Sequence, residues 1–117
     1  KIKNIKKNFI NNKKGKSMRL EITSKGMDLT PAIKNSIEKA LQKSLKITKG
    51  LSSEEHFKVF VEKTNSPEEP FLAKIVTHIF KKDLVVTKSG KDLYAVLDLI
   101  SDDLARHLRK EKEKHYV

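Results

Sequence analysis

The fold is decided by residues 30–47, which read TPAIKNSIEKALQKSLKI. Thr30 followed by Pro31 is a typical helix start, because the threonine hydroxyl accepts a hydrogen bond from a free N–H and proline loses no hydrogen bond at the first helical position. Apolar residues then recur every four positions and share one face of the helix. They are Ile33, Ile37, Leu41 and Leu45. The stretch predicts an amphipathic helix whose apolar face must be covered by a sheet or a second helix.

Short stretches rich in β-forming residues lie on both sides of this helix. Before it, residues 19–24 (RLEITS) alternate between apolar and polar, which is typical of a strand with one buried face. After it, residues 56–62 (HFKVFVE) show the same alternation. Residues 71–80 and 84–87 are also rich in β-branched and aromatic residues, and they are close enough in sequence to predict a hairpin.

A second helix is predicted from Asp92, as its N-cap, to about Lys114, because apolar residues recur there at helical spacing. Its exposed side is acidic in the first half and basic in the last turns, and we expect the basic end to extend beyond the core. The acidic residues are Asp98, Asp102 and Asp103, and the basic ones are Arg106, Arg109, Lys110, Lys112 and Lys114. The order β-α-β-β-β-α predicts an α+β fold, in which a four-stranded sheet carries both helices on one face.

The chain is strongly basic, with 26 lysines and arginines against 15 acids and a net charge of +11. This charge favours a polyanionic partner such as nucleic acid or an anionic membrane. Residues 1–17 hold seven of the lysines, no acid and only four apolar residues, too few to offset the entropy of ordering them. We therefore predict a flexible Lys/Asn-rich arm at 1–17 and one domain at 18–117. The arm could be a solvated tail, a nucleic-acid contact, or an amphipathic targeting or membrane segment.

The sequence lacks the usual signatures of enzymes and cofactor sites. It has no cysteine, its four histidines are dispersed, and its four glycines form neither a GxGxxG nor a P-loop. These absences argue against metal sites, nucleotide hydrolysis and acyl transfer. We expect no catalysis, cofactor, metal or small-molecule substrate. No apolar run approaches the length of a membrane-spanning helix, so we expect no transmembrane segment and a cytoplasmic location.

Two cationic helix faces are the candidate binding surfaces. The first helix carries lysines on its polar face, at Lys34, Lys39, Lys43 and Lys46. The last turns of the second helix include two arginines, which suit bidentate contacts with phosphate, and this favours RNA contact over a merely solvated face. The opposite face of the sheet would carry Phe60, Val76, His78 and Phe80. These side chains could stack on bases or be covered by a partner protein or loop.

Two segments, ITSKGMDLTPAIKNSIEKAL (22–41) and DLYAVLDLISDDLARHLRKEK (92–112), resemble the signature segments of the ribosome hibernation-promoting factor and ribosome-associated inhibitor family. The resemblance covers residues 18 to about 114 and is to the short type of the family. It implies a protein that binds the small ribosomal subunit of the 70S ribosome between head and body and overlaps the positions of mRNA and tRNA. By the same resemblance, eight residues would contact rRNA phosphates, and Tyr94 would pack rather than bind. The eight are Lys25, Lys34, Lys43, Lys46, Lys88, Arg106, Arg109 and Lys110.

The function expected from the resemblance is steric silencing of idle ribosomes, in the cytoplasm or in an organelle. Two other functions remain open at this point. One is a general RNA-binding module without an inhibitory role. The other is an interaction protein that residues 1–17 anchor to an anionic membrane or an acidic partner.

Overall fold

The computed structural model describes residues 3–11, 17–48, 54–79 and 82–115. These residues form five strands and two helices in the order β1, β2, α1, β3, β4, β5, α2. The strands are β1 (Lys3–Asn11), β2 (Ser17–Lys25), β3 (Glu54–Lys63), β4 (Phe71–Ile79) and β5 (Lys82–Gly90), and the helices are α1 (Pro31–Ile47) and α2 (Leu93–His115). The predicted β-α-β-β-β-α order is confirmed by β2 to α2.

The strands form one mixed sheet in the order β1-β2-β3-β4-β5. The β2 and β3 strands are parallel, with Ile22 opposite Val59, and α1 is the crossover that a parallel pair requires. The β3, β4 and β5 strands are antiparallel neighbours. In the hairpin, Ile79 pairs with Lys82, and the two residues between them lie outside the described part of the chain.

The core lies between one face of the sheet and the two helices. Alternate residues of β2 to β5 point into it, as the pleat of a strand requires, and they meet the apolar faces of α1 and α2. The largest fully buried side chains are Phe57, Leu20, Ile22, Ile37, Leu41, Ile75, Ile100, Leu104, Leu108, Val59 and Val61. Both helices therefore pack on the same face of the sheet, as the sequence predicts.

Both predicted helix starts are confirmed by capping contacts. The hydroxyl of Thr30 accepts a hydrogen bond from the backbone N–H of Ile33 at 3.2 Å, and Pro31 is the first helical residue. At α2, the carboxylate of Asp92 accepts one from the N–H of Tyr94 at 3.3 Å. These contacts satisfy N–H groups that have no partner within the helix.

The first strand corrects the expectation that the arm has no folded element. Residues 3–11 form β1, which pairs antiparallel with β2 over its whole length. A sheet edge offers unpaired backbone N–H and C=O groups, so a segment with few apolar residues can join it through its main chain. The division of the chain at residue 17 into an arm and a domain stays a prediction.

The face of the sheet opposite the helices is open. Phe60 lies there with 38% of its surface exposed, and the Lys74 ammonium lies 5.2 Å from the centre of its ring. His78 is exposed and Val76 half-buried on the same face, whereas Phe80 falls outside the described residues. We call this surface the outer sheet face.

Candidate nucleic-acid interface

The two helices run side by side in the same direction. The hydroxyl of Ser101 donates to the carbonyl of Ala40 at 2.8 Å, and further along the ammonium of Lys112 donates to the carbonyl of Ile47 at 3.2 Å. The contacting residues are thus later in sequence on both helices at the second contact, so the two helices are parallel. The C-terminal ends of α1 and α2 meet at one end of the molecule, where the negative ends of both helix dipoles favour basic side chains.

A groove of about 420 Å³ opens beside the middle of α2, and we call it the cationic groove. Four predicted RNA-binding residues line it, from α1, β5 and α2, together with two acids. These are Lys43, Lys88, Arg106 and Arg109, with Asp102 and Asp103. Four positive charges against two negative ones leave the groove cationic, and such a surface attracts phosphate.

Asp103 lies at the centre of this charge cluster, and only 12% of its side chain is exposed. Its carboxylate accepts a hydrogen bond from the guanidinium of Arg106. The ammonium of Lys88 lies 3.8 Å away, and Nε2 of His107 lies 3.7 Å away. One carboxylate therefore holds cations from the sheet and from α2 together.

Asp102 links the two helices across the same groove. The ammonium of Lys43 donates a hydrogen bond to its carboxylate. That bond, the charge of Lys43 and a smaller contribution from Arg109 hold the pKa of Asp102 below its ordinary value, against the opposing effect of desolvation. The ionised carboxylate of Asp102 and the ammonium of Lys43 therefore join α2 to α1 at this point.

The other four predicted residues lie outside the cationic groove. Lys34 is nine residues before Lys43 on α1, about 13 Å along the helix axis, and it pairs with Glu38 at 4.0 Å. Lys25 ends β2, three strands away from β5, which is about 14 Å across the sheet. It pairs with Glu62 at 3.9 Å. Lys46 and Lys110 are exposed towards the ends of α1 and α2, so they extend the positive surface beyond the groove.

The sequence analysis expected the basic end of α2 to extend beyond the core, and this expectation is wrong. Glu111 is only 7% exposed, and its carboxylate lies 2.8 Å from the ammonium of Lys82 and 3.5 Å from that of Lys114. Together with the bond from Lys112 to α1, these contacts attach the last turns to the sheet and to the other helix. Hydrogen bonding by Lys82 holds the pKa of Glu111 below its ordinary value.

A second groove lies between the two helices and shares Lys43 and Asp102 with the cationic groove. It has a volume of about 570 Å³ and is lined by Lys39, Tyr94 and Asp98, among others. Tyr94 is 45% exposed, so part of its ring is covered and part faces solvent. It follows the cap residue Asp92 on the solvent side of α2, which leaves its ring available for contact.

Sequence reasoning missed the role of the two acids in the groove. Asp103 precedes Arg106 by three positions and His107 by four, and these spacings bring side chains together on a helix. The sequence alone could therefore have predicted the contacts of Asp103 with Arg106 and His107. No signal of this kind links Asp103 to Lys88 or Asp102 to Lys43, because those partners belong to different elements.

Within the described residues, no cluster of three or more histidine or acidic side chains has a geometry that could hold a metal ion. Among the helices of the described chain, neither is long and apolar enough to cross a membrane. What the cationic groove offers chemically is charge and hydrogen-bond donors for an anion.

Comparisons with known proteins point in one direction. A sequence model of the Sigma 54 modulation protein / S30EA ribosomal protein family matches residues 20–116. The ribosome hibernation promotion factor of Picosynechococcus sp. is 30% identical over 108 residues, which cover 85% of this chain and 51% of the relative. The chain thus spans about half the length of this curated relative.

Two solved structures share the fold. The N-terminal domain of Protein Y from Thermus thermophilus matches with a TM-score of 0.62 and 23% identity, covering 75% of this chain and 93% of that domain. A ribosomal subunit interface protein from Coxiella burnetii matches with a TM-score of 0.62 and 19% identity, covering 79% of this chain and 97% of that protein. At these identities the likeness concerns the fold alone.

Proposed function

Because this chain belongs to the Sigma 54 modulation protein / S30EA ribosomal protein family, we propose that it is a ribosome hibernation factor. It binds rRNA of the small ribosomal subunit near the decoding channel, in the free subunit or in the 70S ribosome, and it sterically blocks the binding of mRNA and tRNA. Its activity is occlusion, which requires no catalysis, cofactor or small-molecule substrate. Its place of action is the cytoplasm or an organelle that contains ribosomes.

The cationic groove is the observation that carries this proposal. It gathers Lys43, Lys88, Arg106 and Arg109 from three elements that share one core. Because the elements are packed together, the backbone positions from which these side chains extend are fixed before binding, which lowers the entropic cost of matching a fixed array of phosphates. Lys46 follows Lys43 by three positions and Lys110 follows Arg106 by four, and these spacings place side chains on the same face of a helix.

Salt dependence tests whether phosphates are the partners. If about six phosphates are neutralised, the affinity for small subunits should fall about a thousandfold between about 50 and about 200 mM monovalent salt. Co-sedimentation with purified small subunits over that range measures the slope. An affinity that does not respond to salt would contradict phosphate recognition by this surface.

Charge reversal tests which surface binds. We expect the triple variant Arg106→Glu, Arg109→Glu, Lys110→Glu to lose small-subunit binding while its circular dichroism stays native. The matched control is Arg19→Glu, Lys58→Glu, Lys74→Glu, which changes the net charge by the same amount on the outer sheet face. The control should retain more binding than the first variant at every salt concentration. Equal losses would mean that overall charge, rather than this surface, determines binding.

A general RNA-binding module is the second candidate, since the cations of the groove would suit other RNA as well. The two functions differ in their effect on translation. A hibernation factor added to a cell-free system should lower the synthesis of a reporter protein and should compete with tRNA for the small subunit. Binding to ribosomes without either effect would favour the general module.

A further inference from the structure

An acid at the centre of a phosphate-binding surface needs a physical reason, because its charge repels the ligand. Asp103 stands in this position in the cationic groove, with a side chain that is 12% exposed. We propose that Asp103 is a positioning residue, which holds Lys88 and Arg106 in the geometry that binds rRNA phosphates. This inference rests on the proposed function and assigns a role to an acid within the proposed site.

The contacts of Asp103 explain how it would act. Its carboxylate accepts a hydrogen bond from one terminal nitrogen of Arg106, and an arginine has five donors in a planar fork. The remaining donors of Arg106 stay available for a phosphate, and the orientation of the fork is set in advance. The ammonium of Lys88 approaches the same carboxylate from β5 at 3.8 Å, which joins the sheet and the helix at this point.

Without a carboxylate at this position the cations would repel one another. Lys43, Lys88, Arg106 and Arg109 line a single groove of about 420 Å³, and long side chains relieve such repulsion by turning into solvent. Each cation that is mobile before binding must then be ordered by the RNA, at an entropic cost. The negative charge of Asp103 therefore weakens the attraction of the groove for a distant phosphate. At short range it favours binding, because it holds the cations in the positions that contact the phosphate.

Asp98 provides a matched control for the charge effect. It is exposed on the same helix, five residues earlier, and it lines the other groove. No ion pair of Asp98 is found among the side chains described at 19–48, 56–79 and 82–114. The variants Asp98→Asn and Asp103→Asn each add one unit of net positive charge, so an electrostatic argument without geometry predicts tighter RNA binding for both.

The test measures the affinity of wild type and both variants for two probes, purified small ribosomal subunits and heparin. Heparin is a flexible polyanion, so both variants should bind it at least as tightly as wild type does. We expect Asp103→Asn to bind small subunits about tenfold more weakly than wild type, since one or two side chains are no longer held before binding. Asp98→Asn should not lose affinity for either probe.

A double-mutant cycle shows whether Asp103 acts through Arg106. In an Arg106→Gln background, the loss caused by Asp103→Asn should shrink, because the main side chain that Asp103 positions is absent. If Asp103→Asn lowers the affinity for small subunits by the same factor in both backgrounds, Asp103 does not position Arg106, and that half of the proposal is wrong.

The remaining outcomes are also decisive. If Asp103→Asn binds small subunits as tightly as Asp98→Asn, the positioning role is overturned while the proposed function stands. If wild type binds heparin but not small subunits, the proposed function fails and the role of Asp103 fails with it. Circular dichroism verifies folding. If Asp103→Asn does not fold, Asp103→Ser replaces it, because it also removes the carboxylate with the same change of net charge, and binding equal to that of Asp98→Asn would overturn the proposal.

Discussion

At the scale of single residues, acids determine how the basic surface is arranged. Glu111 lies in the last turns of α2 and is only 7% exposed, and Lys82 reaches it from β5 at 2.8 Å. A carboxylate with so little exposure is stabilised by the cation and stabilises it in return. Here one ion pair attaches the end of a long helix to the edge strand of the sheet.

This ion pair predicts a pH dependence of stability. The hydrogen bond from Lys82 lowers the pKa of Glu111 in the folded chain, whereas the unfolded chain has the ordinary value of about 4.3. The pair therefore stabilises the fold above that pH, and the stabilisation is lost as the pH falls through the lowered folded pKa. Lys82→Met should have a lower free energy of unfolding than wild type at neutral pH, and the difference should shrink below about pH 4.

Urea unfolding between about pH 7 and about pH 3 measures this difference. The control is Lys91→Met, which removes an exposed lysine with no ion pair in the described part of the chain. The free energy of unfolding of Lys91→Met should differ from that of wild type by an amount that changes less with pH. If the difference in free energy of unfolding between Lys82→Met and wild type is the same at the lowest pH as at neutral pH, the ion pair does not stabilise the fold in this way.

At the scale of elements, α1 depends on its first turn. The Thr30 hydroxyl accepts from the N–H of Ile33, and the helix then extends to Ile47 with its apolar face in the core. We expect Thr30→Ala to lower the free energy of unfolding by about 1 kcal/mol, because that N–H loses its partner. Urea denaturation measures the loss.

The conservative variant separates the cap from other effects. Thr30→Ser retains the hydroxyl acceptor, so it should lose much less stability than Thr30→Ala. The Ile33 amide should also exchange its hydrogen faster in the alanine variant, because its hydrogen bond is absent. Equal losses in both variants would show that the threonine methyl group, not the cap, stabilises the helix.

At the scale of the whole molecule, β1 joins the sheet at its edge, beside β2. It is an edge strand whose neighbour in the sheet is β2, and the described side chains of β2 to α2 already form a core together. We therefore expect a chain without residues 1–16 to fold, as circular dichroism and urea unfolding would show, and to bind small subunits at low salt. Its affinity should fall more weakly with salt if lysines of residues 1–16 contact phosphates.

The same deletion tests the anchored-protein alternative. If residues 1–17 anchored the protein to an anionic surface, the full chain would bind vesicles rich in anionic lipid and the shortened chain would not. Loss of small-subunit binding on deletion would place the main contact in residues 1–16 and would contradict the assignment to the helix surface.

The sequence analysis gave a correct account of the elements whose signals are local. The cap at Thr30, the proline at 31 and the apolar spacing of both helices act over a few residues, and the alternation in the strands does the same. It did not anticipate β1, because a strand at a sheet edge is held by main-chain hydrogen bonds, which leave little trace in side-chain pattern. It also could not decide whether Tyr94 is covered, since that depends on what packs beside α2.

The amino-acid order alone thus determined the succession of helices and strands, the face that each one buries, and the presence of dense positive charge on α2. Packing decided which charges meet. Lys43 reaches Asp102 across 59 positions of sequence, and Lys88 approaches Asp103 from another element. Such pairs form only once separate elements share a core, because hydrophobic periodicity specifies which side of an element is buried but not which element lies beside it.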